Sequence, residues 1–127
     1  MNTAYWCVLI AGLMPVLTVA IAKAQRGFDN ANPREWLEQQ SGLRKRADYA
    51  HRNHFEAFPF FAAGVIIAHQ LGAAPHLIDQ LAMVFIAARI AYTIFYLTDR
   101  ASLRSVAFLV AYACVIGLFM LAAFSAS

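Results

Sequence analysis

Apolar runs divide the chain, and the polar positions carried into them are its most informative feature. Residues 1–22 bear no charge, and at about 1.5 Å per residue they are long enough to cross a hydrocarbon layer of about 30 Å. The first cation, Lys23, comes after this run rather than before it, so the run is expected to be retained as a span and not cleaved as a signal peptide. Pro15 interrupts it, a break that packed membrane helices tolerate. Lys23 to Arg46 is the one substantial loop. Within it Asn32-Pro33-Arg34-Glu35 predicts a short helix running to about Gln40, with Asn32 as cap, Glu35 reaching back to it, and Ser41-Gly42 ending it. Trp36 fits either the lipid headgroup level or simple packing.

A second span is predicted from about Leu43 past Ala68, wet in its first turns and apolar from Ala57 to Ala68 except for Pro59. Gly72-Ala73-Ala74-Pro75 predicts a tight turn. The third span covers about Leu77–Leu97, and the fourth about Leu103–Ala126 after a short turn from Thr98 to Ser102. The expectation is one all-α membrane domain of four spans covering residues 1–127.

Two polar stripes enter these spans. Arg46, Tyr49, Asn53, Glu56 and Phe60 follow three-four spacing, and so do Arg89, Tyr92, Tyr96 and Asp99, so each set shares one helical face. Glu56 lies ten residues beyond Arg46, and Arg89 eleven before Arg100. Both are therefore about 15 Å from the same surface at about 1.5 Å per residue, and Glu56 and Arg89 are expected to meet. Intramembrane charges are costly and usually functional, although a pair can simply fix helix register. Tyr92, Tyr96 and Asn53 add hydroxyls and an amide suited to a polar ligand.

Composition supports the membrane reading: 61% of the 127 residues are hydrophobic and 13% charged, far from the soluble norm. A net charge of +3 raises nucleic acid as a partner, but the cations sit in membrane-flanking loops rather than in a basic groove. Lys23, Arg26, Arg34, Arg44, Lys45, Arg46 and Arg52 lie in or beside the first connection, and Arg100 and Arg104 beside the third. The positive-inside rule then puts those connections in the cytoplasm and both termini on the other side. Arg89 is the exception, inside the membrane.

With Ser102 as cap, Arg104 falls in the first turn of the last helix. A cation there suits either an anion site or a plain membrane anchor. His51 and His54 have no third ligand in sequence and lack the i, i+4 spacing of a helical zinc site, so no metal is expected. Arg52 is placed to pair with Glu56 in competition with Arg89, His69 reads as a satisfied core or interface residue, and Asp79 as an interfacial cap. Cys7 and Cys114 read as small buried hydrophobes.

The chain resembles the MAPEG family, the membrane-associated proteins in eicosanoid and glutathione metabolism, and is similar to its small bacterial members. Three motifs carry the resemblance: Asn53-x-x-Glu56 with Phe58-Pro59 after it, Arg89-x-x-Tyr92-x-x-x-Tyr96, and Leu103-Arg104-Ser105. It implies a four-helix bundle in a bacterial inner membrane, assembled as a homotrimer with glutathione bound between subunits near the cytoplasmic face. Asn53, Glu56, Arg89, Tyr92 and Tyr96 match positions associated with glutathione, and Arg104 matches the arginine proposed to stabilise its thiolate. Many glutathione-using members carry an arginine where this chain has Tyr49, and the interval from Tyr96 to Arg104 is one residue longer than in the leukotriene synthase type. The leading expectation is a glutathione transferase or glutathione-dependent peroxidase acting on lipophilic electrophiles. The alternative is a non-catalytic membrane protein whose polar residues serve packing and assembly. A transporter is disfavoured because no internal repeat or broken-helix pair is present.

Overall fold

The computed structural model of the chain describes residues 1–24 and 27–126, and every regular element among them is helical. α1 spans Thr3–Lys23, α2 Pro33–Glu38, α3 Gly42–Gln70, α4 Pro75–Leu97 and α5 Ala101–Ala126. Arg26, counted above with the basic first connection, lies outside the described residues. Three helices, α1, α4 and α5, are long and apolar enough to cross a membrane. α3 is longer than α1 or α4, at 29 residues, but its opening turns carry Arg44, Lys45, Arg46, Asp48 and Arg52 and dilute its apolar second half.

Each long helix buries one stripe and exposes an apolar back. α1 turns Ala4, Cys7, Ala11, Met14 and Thr18 inward and leaves Trp6, Leu9, Leu13, Val16 and Leu17 exposed. α5 does the same, with Ala107, Ala111, Cys114, Leu118 and Ala122 inside and Val106, Leu109, Met120 and Phe124 outside. An exterior this apolar belongs in lipid, where small inward residues let helix backbones approach closely. Cys7 and Cys114 are both buried and free.

The main pairings are α1 with α3 and α4 with α5, while α4 also packs on α1 and α3, and α5 on α3. Phe61 of α3 stacks face to face on Phe85 of α4, with ring centroids 3.9 Å apart. Gly64 admits α5 beside α3: a Cβ there would stand 3.3 Å from both the Leu118 side chain and the Phe119 ring. At the end distant from the basic loop, the backbone N–H of Ala4 donates to Asp79 Oδ1 at 2.9 Å. Asp79 is a cap as expected, but it serves the start of α1 rather than its own helix.

Both tight turns end their helices with paired backbone bonds. After α3, Gly72 N–H donates to His69 O and Ala73 N–H to Ala68 O, with Gly72 at φ +81°. After α4, Asp99 N–H donates to Tyr96 O and Arg100 N–H to Phe95 O, with Asp99 at φ +60°. Aspartate is one of the few non-glycine residues that tolerate this left-handed conformation. Asp99 therefore terminates α4 instead of extending the polar stripe. Ser102 is not the cap of α5, which already begins at Ala101, and the Arg104 N–H is satisfied by Arg100 O at 2.9 Å. The side chain of Asn32 makes no cap bond either, because its amide turns to Asp29. Ser41 and Gly42, expected to end α2, instead open α3.

Asp79→Ala should lower stability in detergent by about 1 kcal/mol, the usual cost of a lost helix cap. Gly64→Leu should cost about 1–3 kcal/mol by forcing α3 and α5 apart. Thermal unfolding of the purified variants measures both.

Candidate functional site

α3 and α4 meet in antiparallel register, marked by two arginine contacts. Near the loop end, Arg46 Nε and Nη2 donate to the Leu97 carbonyl at 3.3 and 3.2 Å, satisfying an acceptor that the end of α4 would leave open. Farther in, Arg89 Nε and Nη2 lie 3.2 and 2.7 Å from His54 Nδ1. The other imidazole nitrogen, Nε2, is 2.8 Å from Thr93 Oγ1, and that hydroxyl donates its one proton to the Arg89 carbonyl at 2.9 Å. Thr93 can then only accept from His54, so Nε2 carries the hydrogen and Nδ1 offers its lone pair to the guanidinium. The imidazole is neutral, so His54 does not compensate the positive charge of Arg89. Arg89 is 2% exposed and His54 3%.

Arg89 and Glu56 stand at one level of the bundle, as expected, but the side chain that binds Arg89 differs. Among the described residues no carboxylate lies within ion-pair distance of Arg89, and Glu56 is exposed. The inward face of α3 runs through Ala47, Ala50, His54, Phe61, Gly64 and Ala68. The stripe through Tyr49, Asn53, Glu56 and Phe60 is the adjacent face, turned about 100° away. The mostly small residues of the true inward face, at seven-residue recurrence, are the signal that points His54 inward. Arg52 pairs with Asp48, at 3.0 Å, rather than with Glu56. His51 points toward that same Asp48 and the ring of Phe55. His69 lies tilted against the Tyr5 ring, with centroids 4.8 Å apart, yet its Nε2 is buried with no hydrogen-bond partner among the described residues.

Glu56 and Arg89 nevertheless open onto one cavity of about 130 Å³ between α3, α4 and α5. Asn53 joins them, its Oδ1 buried and without a hydrogen-bond partner among the described residues. Apart from Tyr112, which brings a phenol, the rest of the wall is apolar, including Phe60, Phe85, Phe108 and Val115. Tyr92 and Tyr96 are not in this wall. They form a ladder beside it: Arg89 lies over the Tyr92 ring at 4.3 Å, Tyr92 meets Tyr96 edge-on at 5.6 Å, and Arg104 lies over the Tyr96 ring at 4.6 Å. Such cation–ring contacts hold a guanidinium without neutralising it. The structure thus brings Asn53, Glu56 and Arg89 together at the cavity and connects Arg89 to Arg104 through the two tyrosines. Tyr49 is apart from them, exposed, with Lys45 over its ring.

The sequence model of the MAPEG family matches residues 3–124, nearly the whole chain and all of its long helices bar the last turn of α5. The chain belongs to the MAPEG family. It is accordingly an integral membrane protein of the family that serves glutathione and eicosanoid metabolism. No curated protein is similar enough to count as a match. Two polar residues of this MAPEG protein escaped the sequence reading of the site, His54 and Thr93. His54 had been weighed only as a metal ligand, and Thr93 stands one turn beyond Arg89, where its hydroxyl reaches both the α4 backbone and His54.

Arg46→Met keeps most of the aliphatic stem and removes both bonds to Leu97. It should lower thermal stability by about 1.5–3 kcal/mol, the range for a hydrogen bond from a charged group.

Proposed function

We propose that the protein is a membrane-bound glutathione transferase or glutathione-dependent peroxidase acting on lipophilic electrophiles, built as a homotrimer of four-helix bundles. The observation that carries this reading is the buried, cationic Arg89, whose protein acceptor is a neutral imidazole, opening onto a cavity with Asn53 and Glu56. A desolvated cation with no carboxylate at ion-pair distance is stabilised by an anionic ligand. Glutathione presents two carboxylates, an ammonium and amide groups, which complement Arg89, Glu56 and the Asn53 amide oxygen.

A cavity of about 130 Å³ is smaller than the roughly 300–1,000 Å³ usual for a small-molecule site. Glu56 also sits on an outward face among exposed Phe55 and Phe60. Both features support a second copy completing the pocket. The basic first and third connections support a cytoplasmic placement of the site in a bacterial inner membrane, with both termini on the opposite side.

In this mechanism Arg104 favours ionisation of the glutathione thiol. A free thiol has a pKa of about 8.5, and a nearby cation lowers it by about one to three units, enough to populate thiolate at neutral pH. The electrophile arrives from the bilayer along the apolar wall. The thiolate then attacks its electrophilic carbon, a carbon–sulfur bond forms, and the leaving group departs as an anion. Juxtaposition of the two reactants supplies much of the acceleration.

A packing-only role has one observation in its favour, that Arg89 already possesses a protein acceptor in His54. Glutathione titration separates the two readings. The purified protein should bind glutathione by calorimetry and melt at a higher temperature with it, by about 2.7 kcal/mol of added stability at a hundredfold excess over Kd. Arg104→Ala should slow chlorodinitrobenzene conjugation about tenfold or more at pH 7 and shift the rise of rate with pH one to three units upward, because the thiol regains its ordinary pKa. No binding, or an unchanged Arg104→Ala profile, would contradict the proposal.

A further inference from the structure

We propose that His54 is a positioning residue: it aims the Arg89 guanidinium into the cavity while leaving its charge free for an anionic ligand. The inference rests on the glutathione reading and extends it to a residue to which the resemblance assigns no role.

Arg89 Nε and Nη2 both converge on His54 Nδ1. With those two nitrogens engaged toward α3, and the guanidinium plane laid against Tyr92, rotation about the last bonds of the side chain is blocked. The exposed edge of the fork is then the one presented to the cavity wall that Arg89 shares with Asn53 and Glu56. The imidazole is itself fixed from behind. Thr93 accepts from Nε2–H because its own proton is committed to the Arg89 carbonyl, so the ring has one tautomer and one orientation.

The choice of side chain matters chemically. A carboxylate at this place would hold the guanidinium equally well but would neutralise it, and a neutralised arginine attracts an anion weakly. A leucine would leave the charge but lose the aim. A neutral histidine supplies direction without compensation. A buried arginine bound this way is ready for a carboxylate before the carboxylate arrives, which lowers the ordering cost of binding.

Two variants separate the nitrogens. In His54→Asn the amide oxygen falls near the place of Nδ1 and retains the acceptor for Arg89. In His54→Gln the amide reaches the place of Nε2 and retains only the link to Thr93. Calorimetry with glutathione in detergent should give His54→Asn a Kd within about threefold of the original chain, and His54→Gln a Kd weakened about tenfold or more. Thermal melting without ligand should be lower for His54→Gln, which leaves the buried Arg89 donors without their acceptor. A merely structural histidine would lower both melting temperatures and leave both Kd values alike, and that pattern would overturn the inference, as would tighter binding by His54→Gln than by His54→Asn. A ligand-free readout tells failure here from failure of the glutathione reading. Nitrogen NMR of the histidine-labelled full chain at neutral pH should show His54 as a neutral ring protonated at Nε2. A ring protonated at Nδ1, or at both nitrogens, overturns the inference whatever the protein binds.

Discussion

One guanidinium withdrawn from water sets the terms for the loop-side half of this molecule. Moving a cation into a low-dielectric interior costs several kcal/mol even after relaxation, unless its donors are satisfied. Arg89 meets that demand from the neighbouring helix, through His54, and from its own helix, through the Tyr92 ring. Those contacts exist only if α3 and α4 keep one register. Arg46 on the Leu97 carbonyl fastens the same register nearer the surface. The packing of α3 on α4 and the electrostatics of the cavity are therefore one constraint seen twice.

The polar content is segregated along the helix axes. Most of the packing beyond His54 is apolar: Phe61 on Phe85, Gly64 against Leu118 and Phe119, and the small-residue seams of α1 and α5. Such a region is close-packed and resists deformation. It gives the arginine, histidine and tyrosine side chains a rigid platform, and positional accuracy is what a binding site of few polar groups requires.

Length, hydropathy and three-residue punctuation were enough to locate the helices to within a few residues, because a bilayer leaves the backbone few options. That Arg89 and Glu56 share one level of the bundle was also legible, since rise per residue is nearly constant. Helix phase was harder. Glu56 was favoured as the partner of Arg89 because opposite charges attract, yet the inward face of α3 passes through Ala47, Ala50 and His54, one step round the helix. Charge complementarity outvoted a pattern of small residues that carried the better information. Ser102 fails as a cap, and Asp99 as a member of the polar stripe, for a related reason: propensity names the residues that suit a turn, but the register of the turn is decided by the backbone bonds of the helix before it. Asp79 was recognised as a cap, but its client, the first turn of α1, is remote in sequence and visible only in three dimensions.

The short passage through Asp99 acts as a spacer whose length sets an angle. Tyr96 and Arg104 sit on two different helices, and their contact depends on how far α5 has rotated by the time the chain re-enters it. Each residue added to or taken from that passage would swing the guanidinium by about 100° around the α5 axis. Relatives whose passage differs by a single residue must therefore either present another side chain to this tyrosine or rewind the first turn, so connector length becomes a determinant of chemistry and not merely of topology.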